Sequence, residues 1–242
     1  MPAKDIALVS TSRSGSNWLL QLLGSSKSTN IYGEIGKDDF LKNDSGKARI
    51  ARDLNLNIEE LTKIGGAVPS ELVEKLKQNS HLDRKAFGCK IFYYHIEKRA
   101  WIEEFLLSDR TKVIHLFRNN IFETFTSLML ASKSGNWLGS QYPDMKLDFD
   151  RDEYIKYRKF AEQNFYRWFN YLETRKKRED LITVEYSLIG TDKMVQIVRA
   201  FLSLEDLSLP ALPKQSKKSA VDYWKDFDSI QPYIGDRIKI GE

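Results

Sequence analysis

Two hydrophobic rhythms alternate along this chain. Residues 6–9, Ile-Ala-Leu-Val, form a short unbroken apolar run, which reads as a strand buried on both faces. A turn of small residues follows, and residues 18–23 open a helix. Ile58–Ile64 and residues 69–78 read as short polar helices, the second with a proline near its start. Residues 87–93 predict a strand and 96–107 a helix. Residues 113–117 predict another buried strand. Residues 119–131 follow as a helix, with Ile121, Phe122, Phe125, Leu128 and Met129 at helical spacing. Residues 152–176 predict one long helix with Tyr154, Tyr157, Ala161, Phe165, Trp168, Phe169 and Leu172 on its inward face. Leu181–Glu185 reads as a strand and Asp192–Leu202 as a helix. Alternation of this kind predicts an α/β protein with a central parallel sheet flanked by helices. No repeat or long linker divides it, so residues 1–242 are expected to form a single domain.

The turn after the first strand carries the most chemistry. It reads Thr11-Ser-Arg13-Ser14-Gly15-Ser16-Asn17-Trp18-Leu19. A strand entering a small-residue turn and then a helix aims backbone N–H groups, and the positive end of a helix dipole, at an anion. A Walker A loop would place Lys and Ser/Thr after its last glycine, for the outer phosphates and Mg²⁺. Here Arg13 precedes the glycine, and Asn17-Trp18 stand where Lys-Ser would be. The loop is suited to an anion held by arginine and hydroxyls, with no metal ligand. The alternative reading of these serines is ordinary turn and cap chemistry.

Arg118 follows the strand at 113–117 directly, at the carboxyl end where open α/β sheets bind ligands. A cation at a helix start opposes the helix dipole unless an anion neutralises it. Ser127 lies further along the same helix, so a second phosphate could bridge Arg118 and Ser127.

With these residues in view, the chain resembles the sulfotransferases that use 3′-phosphoadenosine 5′-phosphosulfate (PAPS) and release 3′-phosphoadenosine 5′-phosphate (PAP). Residues 13–19 match that family's [K/R]-S-G-[S/T]-[T/N]-W-L loop for the 5′-phosphosulfate. Arg118 and Ser127 match its 3′-phosphate site, with Thr126 the match if the register is one residue shorter. The resemblance extends from Ile6 to about Ile230 and implies the P-loop-like sulfotransferase fold. It also implies a catalytic base. Glu34, in Tyr32-Gly33-Glu34, falls where bacterial carbohydrate sulfotransferases and their relatives carry theirs. His95 and Lys90 compete for catalytic roles, because animal cytosolic members place a Lys and a His at the end of a comparable strand. Their K-x-P-H pattern is absent from Lys90-Ile-Phe-Tyr-Tyr-His95. Tyr186 resembles a family tyrosine near the adenine, and Lys214, Lys217 and Lys218 resemble a basic loop over the 3′-phosphate. The implied reaction is metal-free, in-line sulfuryl transfer to a small-molecule or carbohydrate hydroxyl. A P-loop kinase or NTPase, or a non-catalytic nucleotide-binding protein, is the alternative.

Composition adds bounds. The chain has 242 residues, 41% hydrophobic and 30% charged, which suffices for a full core in an ordinary globular protein. A net charge of +4 suits an anionic cosubstrate without calling for nucleic acid. No apolar run approaches the roughly 20 residues of a membrane span. Cys89 is the sole cysteine, so no intrachain disulfide forms, and a cytoplasmic location is expected. Residues 134–150, with Trp137 and Tyr142, read as a loop long enough to cover a site. Its aromatics would either stack on an acceptor or pack the loop down.

Overall fold

The computed structural model describes residues 4–137, 142–209 and 218–239. Five parallel strands form its sheet: β1 Asp5–Ser10, β2 Thr29–Tyr32, β3 Ala86–Phe92, β4 Thr111–Phe117 and β5 Leu181–Glu185, in the order β2-β3-β1-β4-β5. Every residue of β1 is buried, because it sits between β3 and β4 with helices on both faces. Its side chains alternate. Ala7 and Val9 join a core with Tyr32, Phe87, Ile91, Phe105 and Trp168. Ile6 and Leu8 join the opposite core with Leu19, Leu22, Ile114, Leu116 and Met194. This period of two is what a strand buried on both faces requires.

The helices are α1 Ser16–Gly24, α2 Asp44–Leu54, α3 Ile58–Ile64, α4 Ser70–Leu82, α5 Tyr93–Lys98, α6 Ala100–Leu107, α7 Ile121–Ser134, α8 Arg151–Arg175, α9 Asp192–Leu202 and α10 Phe227–Ile230. The α/β expectation and the central parallel sheet hold. Of the inward α8 residues, Tyr154, Phe165, Trp168 and Leu172 are buried. Tyr157, Ala161 and Phe169 pack partly buried against a third core around α7 and the C-terminal segment.

Three local features go beyond or depart from the sequence reading. Strand β2 was not foreseen, since Thr29 and Asn30 make its start polar. Helix α2 was not foreseen either. Its sequence is charged, but Asn43 caps it by accepting from the Ser45 and Gly46 N–H groups, and Ile50 is fully buried. The helix expected over 96–107 is two helices. The first starts at Tyr93 without a loop after β3, and Arg99, at φ −137 and ψ 104, breaks it from the second.

Candidate active site

The carboxyl ends of the strands converge on one cavity of about 910 Å³. Strand β1 leads into the 11–15 turn. Arg13 (φ 63) and Gly15 (φ 84) both adopt left-handed backbone there, swinging the chain into α1. Glycine is needed at 15 for a second reason: a Cβ would lie 2.8 Å from the Tyr186 ring. Ser14 is fully buried and its hydroxyl donates to the Thr11 carbonyl at 2.7 Å, so it holds the turn together. Ser16, Asn17 and Trp18 line the cavity with Arg13 and Gly15.

Arg13 is the crossing point of the site. Its Nε donates to Ser127 Oγ at 3.0 Å, its Nη1 to the Trp137 carbonyl at 3.0 Å, and its Nη2 to the Tyr142 hydroxyl. Burial pulls its guanidinium below the usual arginine value. Arg118 reaches the same turn from the end of β4: its Nη1 donates to the Arg13 carbonyl at 3.4 Å. Its guanidinium lies 4.2 Å from the Tyr186 ring centroid, while its Nε is sealed from solvent with no partner among the described residues. The anion beside it is Glu123, in the first turn of α7, at 2.7 Å. Sequence reasoning passed over Glu123, although an acid at that position on the helix start was its signal.

The two α7 hydroxyls part ways. Thr126 Oγ1 donates to the Phe122 carbonyl at 2.9 Å and accepts from Trp224 Nε1 at 3.0 Å. Ser127 faces Arg13. Both residues line the cavity, the Ser127 hydroxyl beside Arg13 and the Thr126 hydroxyl bonded within the fold.

A second cluster sits across the cavity. Lys90, 4% exposed, places Nζ 2.6 Å from Glu34 Oε1 and 2.6 Å from Asn17 Oδ1. It thus ties the candidate base to the start of α1. Burial lowers the Lys90 ammonium from the usual lysine value, with Glu34 pulling the other way. His95 is not brought to the cavity lining. It lies within α5, its Nδ1 accepts from the Phe92 N–H at 3.1 Å, and its Nε2 is sealed from solvent. Burial lowers its pKa to about 4, so the ring is neutral at pH 7. Tyr94, which sequence reasoning did not single out, lines the cavity instead and is 44% exposed.

The roof comes from two distant segments laced together. Lys218 pairs with Asp144 at 2.7 Å and Lys225 with Asp148 at 2.8 Å. The Leu147 N–H donates to the Tyr223 carbonyl at 2.7 Å, and the Lys225 N–H to the Leu147 carbonyl at 3.0 Å. Trp137, Tyr142, Lys218 and Tyr223 all line the cavity. Lys214 and Lys217 lie outside the described residues.

Solved structures of similar shape decide the architecture. The sulfotransferase domain of the Synechococcus PCC 7002 olefin synthase has a TM-score of 0.59 at 17% identity, covering 88% of this chain and 79% of that one. The sulfotransferase domain from the curacin biosynthetic pathway has a TM-score of 0.57 at 17% identity, covering 100% and 93%. This chain has the sulfotransferase fold. A sulfotransferase from Alicyclobacillus acidocaldarius also shares it, with a TM-score of 0.51 at 13% identity over 88% of this chain and 86% of that one. No family model matches the sequence, and no curated protein matches it. The sulfotransferase fold here carries no helix, among the described residues, long and apolar enough to cross a membrane.

Proposed function

We propose that this chain is a PAPS-dependent sulfotransferase acting on an acceptor hydroxyl. The observation that carries the reading is a single cavity in which Arg13, Arg118 and Ser127 gather on one side and the Lys90–Glu34 pair on the other. The residues fit the cosubstrate. Arg13, Gly15, Ser16, Asn17 and Arg118 line the cavity together, and Arg118 Nε has no partner among the described residues. PAPS supplies the activated sulfuryl group.

In this reading Arg13 and the 14–18 turn hold the 5′-phosphosulfate and stabilise charge on the leaving phosphate. Arg118 and Ser127 hold the 3′-phosphate, Tyr186 lies towards the adenine, and Lys218 adds charge from the roof with Lys214 and Lys217. Glu34 takes the proton of the acceptor hydroxyl, a role that contributes about 10²–10⁴-fold. Lys90 fixes Glu34 against the turn and adds positive charge beside the transferring group. The rest is positioning, as in phosphoryl transfer. The kinase alternative requires a turn lysine after the glycine and a strand-end acid for Mg²⁺; Asn17 and Arg118 occupy those places.

Calorimetric titration with PAP, ADP and ATP in the absence of metal tests the reading. PAP is expected to bind and ADP to bind far more weakly. Preference for ATP, or no binding of PAP, would overturn it.

A further inference from the structure

Arg118 is fixed less by packing around its side chain than by the peptide that carries it. A cavity of about 20 Å³ borders Arg118 together with Tyr93, Thr124 and Tyr157, room for about one water. Arg118 Nε has no partner among the described residues. On that side nothing wedges the side chain, so the aim of the guanidinium depends on the backbone over residues 118–121.

That backbone is clamped by the C-terminal segment. The Ile121 N–H donates to the Asp236 carbonyl at 3.1 Å, and the Ile238 N–H donates to the Asn119 carbonyl at 3.0 Å. Asn120 thereby faces Arg237 in an antiparallel bridge. Ile121 opens α7, where a helix leaves its first N–H groups without a partner of their own; the segment supplies one. Glu185, at the end of β5, grips the other side, accepting from the Asn119 N–H at 3.3 Å.

The clamp is anchored to α8 at one atom. Asp236 Oδ2 accepts from the Tyr154 hydroxyl at 2.7 Å and from Arg158 Nη1 at 3.2 Å. Tyr154 is fully buried, its ring against Phe122 and Phe125 of α7 and against Tyr233. A buried tyrosine hydroxyl needs a partner, and bonds to a carboxylate are the stronger kind. Asp236 thus holds α8 with its side chain and the start of α7 with its carbonyl.

We infer that Asp236 is a positioning residue for the 3′-phosphate subsite: it locks the C-terminal segment onto the junction of β4 and α7 and so sets where Arg118 presents its guanidinium. This rests on the assignment of Arg118 to the 3′-phosphate above.

The test titrates the full chain with PAP and with 5′-AMP, which differ only by the 3′-phosphate. The parent is expected to prefer PAP. Asp236→Ala should weaken PAP binding about tenfold and leave the 5′-AMP Kd within about twofold. Asp236→Asn keeps an oxygen for the Tyr154 hydroxyl and should recover most of the loss. In an Arg118→Ala background, Asp236→Ala should add nothing to the PAP Kd, because the coupling runs through that arginine. Tyr154→Phe keeps the core ring and removes only the hydroxyl. It should weaken PAP about threefold, and it carries the test if Asp236→Ala does not fold. Equal weakening of both nucleotides, an unchanged PAP Kd, or full additivity with Arg118→Ala overturns the inference and leaves the transfer reading standing. A parent that binds PAP and 5′-AMP alike overturns the inference together with the placing of Arg118. A parent that does not bind PAP overturns the transfer reading as well.

Discussion

Replacing Gly15 by alanine attacks the turn after β1 at one atom. Gly15 holds φ 84 and ψ 9, and a non-glycine residue there costs about 1–2 kcal/mol. The new Cβ would sit 2.8 Å from the Tyr186 ring and 3.2 Å from Ile189, where ordinary contact begins at 3.4 Å. The ring must therefore retreat by 3.4 − 2.8 = 0.6 Å at least. Tyr186 carries the Arg118 guanidinium 4.2 Å from its centroid, a contact worth roughly 0.5–2 kcal/mol. The two losses read out differently. Backbone strain lowers the thermal midpoint, by about 2–4 °C per kcal/mol for a chain of this size. The displaced Tyr186–Arg118 pair weakens PAP binding, by about tenfold for each 1.4 kcal/mol. Thermal unfolding and PAP titration of Gly15→Ala against the parent give both numbers. A variant with the parental midpoint and the parental Kd would refute the seating of Tyr186 on the turn.

Lys90→Met keeps the stem and deletes the ammonium that joins Glu34 to Asn17. Steady-state kinetics should show kcat down by about tenfold or more, because a removed partner leaves a mostly buried carboxylate uncompensated, with PAP affinity affected less; equal losses in both would contradict the assigned place of Lys90. Glu123→Gln removes the negative charge 2.7 Å from Arg118 and should tighten PAP binding a few-fold, as titration would show; weaker binding would mean that Glu123 orients Arg118 instead of competing for it. Acid should destabilise the fold before carboxylates titrate. Burial holds His95 near about 4 and His115 near about 3, both below the ordinary 6.5, so the unfolded chain takes up protons that the folded chain refuses. Stability is full above pH 6.5 and falls as pH drops below it, by about 1.4 kcal/mol per pH unit for each histidine. A thermal midpoint that stays flat between pH 6.5 and 5 would contradict this.

The strand, turn and helix over residues 6–19 were legible because three local signals coincide: an apolar run, small residues with a glycine, and an apolar helix start. The place of Arg118 at the end of β4 was legible for a similar reason, as a cation directly after a buried strand. What escaped depends on distant partners. His95 follows a strand and carries catalytic chemistry, but a helix beginning immediately at Tyr93 rotates its ring into the fold and leaves Tyr94 at the surface of the cavity. Nothing local marks Arg13 for the Tyr142 hydroxyl, 129 residues away in sequence. Nor does anything local mark Thr126 for Trp224, whose indole N–H donates to the Thr126 hydroxyl from 98 residues away.

The laced roof has a consequence for synthesis. The sheet has all its described strands once β5 is made at Glu185, and the turn after β1 precedes that point. The ion pairs and backbone bonds over the cavity, however, wait for residues 218–225 to meet residues 144–148. A nascent chain halted between these points can have a complete sheet and still hold an open trough. Long-range closure of this sort comes late, so the cavity should gain its roof well after its floor as the chain leaves the ribosome.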